Sequence, residues 1–279
     1  MTRFSQIFRW AVIAGLLAFA SLRSAAQEVP FLVGERADLV INYRVGIKAD
    51  IIKAQMEVTG EEGDFRVSIQ AHTTKFWDSV YRVRDTFSCR FTSAVRPVDY
   101  IRYVHEGEYW ARALCTWNED ASVLRLQGDK RNRPHRDTTY SDPLMVRDIV
   151  NLLYHLRTVD PESMRTPVPY LLIVDKDLID SRIRFVGRED KKISGLGTVH
   201  TLKFAATMNT RKGTSAEDGS QYAIDTSGGD AKESLFIWLS DDANRLPVFF
   251  TVPLSVGSIN GRTVWFDGLR YPFTAMKED

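Results

Sequence analysis

Ile52-Lys53-Ala54-Gln55-Met56-Glu57-Val58-Thr59-Gly60-Glu61-Glu62-Gly63-Asp64-Phe65-Arg66-Val67-Ser68-Ile69-Gln70-Ala71-His72 sets the fold class. Apolar residues at 52, 54, 56 and 58 alternate with polar ones. After Gly60–Asp64 the same rhythm resumes at 65, 67, 69 and 71. A period of two is the signature of a strand with one face buried, and so short a turn joins neighbouring antiparallel strands. Leu39, Ile41, Tyr43 and Val45 supply a similar strand upstream. Strand-like segments follow at 82–91, 98–105, 109–117, 122–127, 170–174, 182–188, 198–208, 235–239, 247–254 and 262–269, and Lys75–Tyr81 fits a helical turn equally well.

This pattern predicts a mainly β chain, an antiparallel meander forming a strongly curved sheet or half-open barrel. One amphipathic helix interrupts it over about 143–157. Met145, Ile149, Leu152, Leu153 and Leu156 carry its three- and four-residue spacing, with Ser141 or Asp142 as cap and Pro143 in the first turn. Such a helix is expected to pack on the sheet or plug an open end. The domain reading is a leader over 1–26 and one β-rich domain over 27–279. A seam is possible near 158–169, and the Gly- and Ser-rich stretch 209–233 is expected to be a mobile loop.

At the N-terminus, Arg3 and Arg9 precede an uncharged apolar run from Trp10 to Leu22, and Ser24-Ala25-Ala26 offers small residues before Gln27. That is the composition of a secretory signal cut near Ala26–Gln27, and the run is too short to span a bilayer. The expected location is periplasmic or otherwise secreted, with no stable membrane span once the leader is gone. A leader carrying Arg3, Arg9 and Arg23 leaves the two charge signs nearly balanced, which argues against a nucleic-acid partner. An outer-membrane barrel fits poorly, because many strands carry charges on one face and a helix interrupts them.

Chemistry is thinly marked. No GxSxG, HxH or HExxH motif occurs, and the five histidines (His72, His105, His135, His155, His200) stand far apart. No metal, cofactor or catalytic residue is therefore nominated. Asp241-Asp242-Ala243-Asn244 reads as a hairpin turn bonded to its own backbone rather than a calcium site. Cys89 and Cys115 are candidates for one disulfide, though a plain meander would put a strand between them, beyond bonding reach. Lys130, Arg131, Arg133 and Arg136 form the one dense basic run. They could grip an anion, but the flanking Asp129 and Asp137 favour a solvated loop before the helix.

Phe31-Leu32-Val33-Gly34-Glu35, Tyr81-Arg82-Val83-Arg84-Asp85, the helix Val146–Arg157 and the stretch Phe236-Ile237-Trp238-Leu239-Ser240-Asp241-Asp242-Ala243-Asn244-Arg245-Leu246-Pro247-Val248, with Gly257-Ser258, resemble a bacterial envelope family known as domain of unknown function 3108. The resemblance runs over roughly 31–269. It implies a secreted β-rich domain and transfers no activity, cofactor or catalytic residue. In the matched segments, Glu35 is expected to accept hydrogen bonds from a neighbouring turn. The expectation is a non-enzymatic binding or scaffold protein whose partner is an envelope component or a hydrophobic, lipid-like small molecule. The alternative is a glycan-active hydrolase with a carboxylate pair in a cleft.

Overall fold

The computed structural model describes residues 28–44, 49–61, 63–142, 144–175, 177–211, 233–254 and 257–278; the expected leader over 1–26 and its expected cleavage site lie outside the described residues. Fifteen strands form one sheet in the order β8-β7-β6-β5-β4-β3-β2-β1-β15-β14-β13-β12-β11-β10-β9. They are β1 (Arg36–Arg44), β2 (Asp50–Glu61), β3 (Asp64–Thr73), β4 (Arg84–Thr92), β5 (Pro97–Glu106), β6 (Tyr109–Trp117), β7 (Val123–Lys130), β8 (Arg133–Ser141), β9 (Val146–Arg147), β10 (Val168–Val174), β11 (Asp177–Ile193), β12 (Gly197–Thr210), β13 (Glu233–Ser240), β14 (Pro247–Pro253) and β15 (Ser258–Asp267). A one-turn helix α1 (Lys75–Asp78) and a longer helix α2 (Ile149–Thr158) complete the fold, with a 3-10 turn at Pro161–Met164.

The sheet consists of two meanders. One fans from β1 to β8, the other from β15 back to β9, and they join where β1 pairs antiparallel with β15 from Arg36↔Asp267 to Arg44↔Ser258. The sheet curves without closing, leaving β8 and β9 as edges. β9 and β10 turn into the hollow. Trp117 of β6 donates its indole N–H to the Val146 carbonyl of β9 at 2.9 Å. Leu171 and Ile173 of β10 pack with the first fan, while Leu172 packs with the second. β10 is therefore a wall buried on both faces, as its unbroken Leu-Leu-Ile run requires.

Helix α2 shares this interior. Val150 and Tyr154 pack with Phe31, Phe65 and Phe91, whereas Leu152 and Leu156 pack with Phe185 and Phe204. It begins at Ile149, later than the sequence signals at Ser141–Pro143 suggest. Ser141 belongs to the β8 ladder opposite Val123. The true cap is Asp148, whose Oδ1 accepts from Val150 N and Asn151 N at 2.9 Å. Pro143 lies outside the described residues. The basic run is a β-hairpin rather than a loop, because Lys130 and Arg133 pair across the β7–β8 turn. Strand β12 continues to Thr210 and β13 starts at Glu233, so the expected 209–233 loop shrinks to residues mostly outside the described set.

The far end of the helix is held by charge. Arg157 donates from Nη1 and Nη2 to Glu35 Oε1 and Oε2 at 2.5 and 2.7 Å, with both side chains fully buried. Its Nη2 also reaches the Asn244 and Pro30 carbonyls, and the guanidinium stacks over the rings of Phe31 and Tyr154. The Tyr154 hydroxyl donates to Glu35 Oε1 at 3.2 Å. Burial alone would weaken the Arg157 proton; the Glu35 carboxylate outweighs it and holds the guanidinium above its ordinary value. Glu35 thus accepts from the helix rather than from a turn. The turn joins through Asn244, whose side chain binds the Tyr271 backbone through both its oxygen and its nitrogen.

Removing one partner of such a pair leaves an uncompensated buried charge. Glu35→Gln is expected to cost about 3–5 kcal/mol, and Glu35→Leu combined with Arg157→Met to recover most of it. Urea unfolding midpoints of the two variants against the parent check this.

Candidate functional site

Strands β2, β4, β6, β8, β11, β13 and β15 all begin at the end of the sheet where α2 begins, opposite the Glu35–Arg157 pair. There the interior is not filled. A cavity of about 360 Å³ is lined by Leu39 and Ile41 of β1, Ala54 and Met56 of β2, Ile69 and Ala71 of β3, and Phe87 of β4. Across it stand Ile149, Val150 and Leu153 of α2, Val174 of β10, Met208 of β12, Leu235 and Ile237 of β13, and Phe250 and Val252 of β14.

Small inward residues make the space. Ala54 and Ala71 are direct cross-strand partners, so two adjacent positions on the inner face lack bulk. Gly261 faces Phe250, and a Cβ there would sit 2.0 Å from the ring, so the ring lies in the space of the missing side chain. Polar groups at the rim are engaged elsewhere. Thr263 donates to the Pro247 carbonyl at 2.7 Å, and Arg262 forms a bidentate pair with Asp50 at 2.8 and 2.9 Å. The volume falls within the range of small-molecule pockets, and an apolar lining of this kind takes apolar ligands.

Toward β4–β6 the inner face of the same end turns polar. Arg102 Nη1 donates to Asp175 Oδ1 at 2.8 Å. Asp85 accepts the His105 backbone N–H at 3.1 Å and is hydrogen-bonded to the Glu106 carboxyl. Burial, then the Glu106 charge, push the Asp85 carboxyl up to about 7, so the two acids hold a proton between them near neutrality. Asp85 and Glu106 are thus a carboxylate pair that the fold brings together. Glycosidase pairs stand about 5–9.5 Å apart with the sugar between them, whereas these two bond to each other.

Of the remaining candidates, Lys130, Arg133 and Arg136 line a second recess at the β6–β8 edge, and the others are dispersed. Cys89 and Cys115 are free and buried, on β4 and β6 with Tyr100 of β5 between them, so the candidate disulfide is absent and the intervening strand is the reason. Cys89 Sγ donates to Asp148 Oδ2 at 3.0 Å, and burial pushes both thiols well up. Arg131 bonds Glu108, while Arg136 bonds the hydroxyls of Thr138 and Tyr140. His135 bonds Asp129 and His200 bonds Asp190; burial and the Arg147 charge push His155 down to about 4. In the Asp241–Asn244 turn, Asp242 Oδ1 accepts from the backbone of Asn244 and Arg245. Among the described residues, no three His, Cys, Asp or Glu side chains gather to hold a metal ion.

The hydrophobic ligand expected from sequence implies an apolar cavity, but nothing in that expectation names its lining residues or the Asp85–Glu106 pair. Ala54, Ala71 and Gly261 at inward strand positions were the available signal for the cavity. Asp85, an acid on the apolar phase of β4, was the signal for the pair.

Comparison with known proteins agrees with this architecture. The family model described as "Protein of unknown function (DUF3108)" matches residues 39–263. A crystal structure of a β-barrel-like protein of domain of unknown function DUF1849 from Brucella abortus is similar at a TM-score of 0.53 and 10% identity, covering 86% of this chain and 100% of that one. A protein described as a lipoprotein from Parabacteroides distasonis aligns at a TM-score of 0.32 and 10% identity, with the same coverages. No curated protein sequence matches the chain.

A folded-state carboxyl held above its unfolded value of about 3.9 contributes stability that is lost as pH rises. For Asp85 the loss runs from about 4 to about 7. Asp148, which burial pushes up to about 6, adds slope of the same sign, while His155 adds the opposite sign between about 6.5 and about 4. The comparison is therefore with Asp85→Asn. Its melting temperature is expected to exceed the parent's at about pH 8, with the advantage shrinking toward about pH 4.

Proposed function

The chain belongs to the DUF3108 family, and we propose that this member is a non-enzymatic binding protein that takes a hydrophobic, lipid-like small molecule into the cavity beside α2. The observation that carries this reading is the cavity itself. A void lined by aliphatic and aromatic side chains costs stability, on the order of 24 cal/mol per Å³ in a core that cannot collapse. An apolar occupant would recover that loss. The site is also asymmetric in a way that suits entry: Ile149 is 37% exposed and Leu153 half-buried at the mouth, while the opposite end is sealed by the Glu35–Arg157 cluster.

The leader composition supports work outside the cytoplasm, where apolar metabolites and lipid components must cross water between membranes. The mature protein purified from an expressing bacterial cell envelope is expected to start at Gln27, as read by intact mass.

Binding is tested with 1-N-phenylnaphthylamine, whose fluorescence rises on transfer to an apolar site. The parent chain is expected to enhance it saturably, and native mass spectra to carry co-purified lipid. Leu153→Trp, which projects bulk into the cavity from the helix, is expected to raise the dissociation constant of the fluorophore about tenfold or more, equivalent to about 1.4 kcal/mol. No saturable enhancement, with no co-purified mass, would leave a scaffold role alone.

A further inference from the structure

We propose that the ligand is an anionic amphiphile, its chain in the apolar cavity and its head group in a second recess organised by Arg136; this rests on the reading of the cavity as the ligand site. The recess, about 410 Å³, opens at the same end of the sheet. The two spaces share one wall. Val174 of β10 lines the apolar cavity and the next residue, Asp175, lines the recess. Leu171 and Ile173 face the first fan and Leu172 the second, so β10 divides the spaces; Asp175, left-handed at φ +56° in the turn just past Val174, stands at its tip.

The recess is floored by residues that leave room. Ala111 and Ala113 of β6 and Gly128 of β7 occupy adjacent inward positions, and Ala113 pairs directly with Gly128. Arg136 stands opposite Gly128 on β8. Its guanidinium is fixed by Nε to Thr138 Oγ1 at 3.1 Å and by Nη2 to the Tyr140 hydroxyl at 2.8 Å. Both partners are neutral, so the group is oriented while its charge stays available, and its Nη1 has no partner among the described residues. Lys130, Arg133 and His135 line the same recess.

Its three acids are already engaged: Asp175 by Arg102, Asp129 by Arg112 and His135, Asp137 by Arg125. A held guanidinium with a free edge matches a carboxylate or phosphate, which its planar donors meet two at a time.

The test uses three dodecyl probes that differ only in the head, displacing 1-N-phenylnaphthylamine from the mature chain: dodecanoate, dodecyl phosphate and dodecanol. Both anions are expected to bind the parent about tenfold tighter than dodecanol, the scale of one charge-assisted contact. Arg136→Gln is expected to abolish that preference and leave dodecanol unchanged. The order of the two anions assigns the source, a free fatty acid or a phosphate-headed lipid.

Equal binding of all three by the parent, or a preference that survives in Arg136→Gln, would overturn the head-group assignment while the apolar site stands. If dodecanol and the fluorophore both fail to bind, the cavity reading falls, and this inference with it. The comparison of heads on the parent needs no variant, so a misfolded Arg136→Gln cannot mask the answer.

Discussion

The Glu35–Arg157 pair is the contact on which the remaining architecture depends. Neither charge could be stripped of water alone, and each finds the other in bidentate geometry with neighbouring carbonyls and a tyrosine hydroxyl. The pair gathers four separate parts of the chain: the segment before β1, the C-terminal turn of α2, the β13–β14 turn and, through Asn244, the segment after β15. Both fans of the sheet are represented in that junction. Hydrophobic packing could hold each fan together, but it is non-directional. The ion pair specifies where the helix sits between them.

That placement bears on the cavity. Helix α2 is anchored by polar contacts at both ends, by Asp148 at its N-terminus and Arg157 in its last turn, about 13.5 Å apart at 1.5 Å per residue. A helix held only by its apolar stripe would settle until the void beside it closed, since each cubic ångström of void costs stability. Held at both ends, it leaves Ile149 and Leu153 at a distance from β1–β3 that Ala54 and Ala71 do not fill.

The sequence shows the strands clearly because burial on one face writes itself as alternation, and β2 and β3 follow that rhythm residue for residue. It shows the helix but misplaces its start. Ser141, Asp142 and Pro143 make a good start signal that the β8 ladder overrides, and the working cap, Asp148, is a second, equally standard cap residue that the longer apolar spacing from Met145 hides. Arg157 reads as a solvated residue near a helix C-terminus. Its burial depends on Glu35, 122 positions away, and no local pattern encodes that distance. Glu35 was visible as an oddity before the first strand, though not its partner. The cavity was the hardest feature to read, because a void is a deficit spread over Ala54, Ala71 and Gly261 on three strands.

The two ends of the sheet follow different electrostatic rules, and the difference accounts for which polar residues each can keep. At the dry end a charge survives only beside its opposite, and Glu35 and Arg157 are both fully buried. At the open end, water and a shared proton make the like-charged Asp85 and Glu106 compatible, with Arg102 and Asp175 paired nearby on the same inner face. The apolar lining of β1–β3 and β12–β14 ends where this polar face begins, with β10 standing between them. Across its width, then, the mouth passes from a surface that repels water to one that orders it. An oil-like molecule would satisfy only the first of those surfaces, and a freely soluble ion only the second.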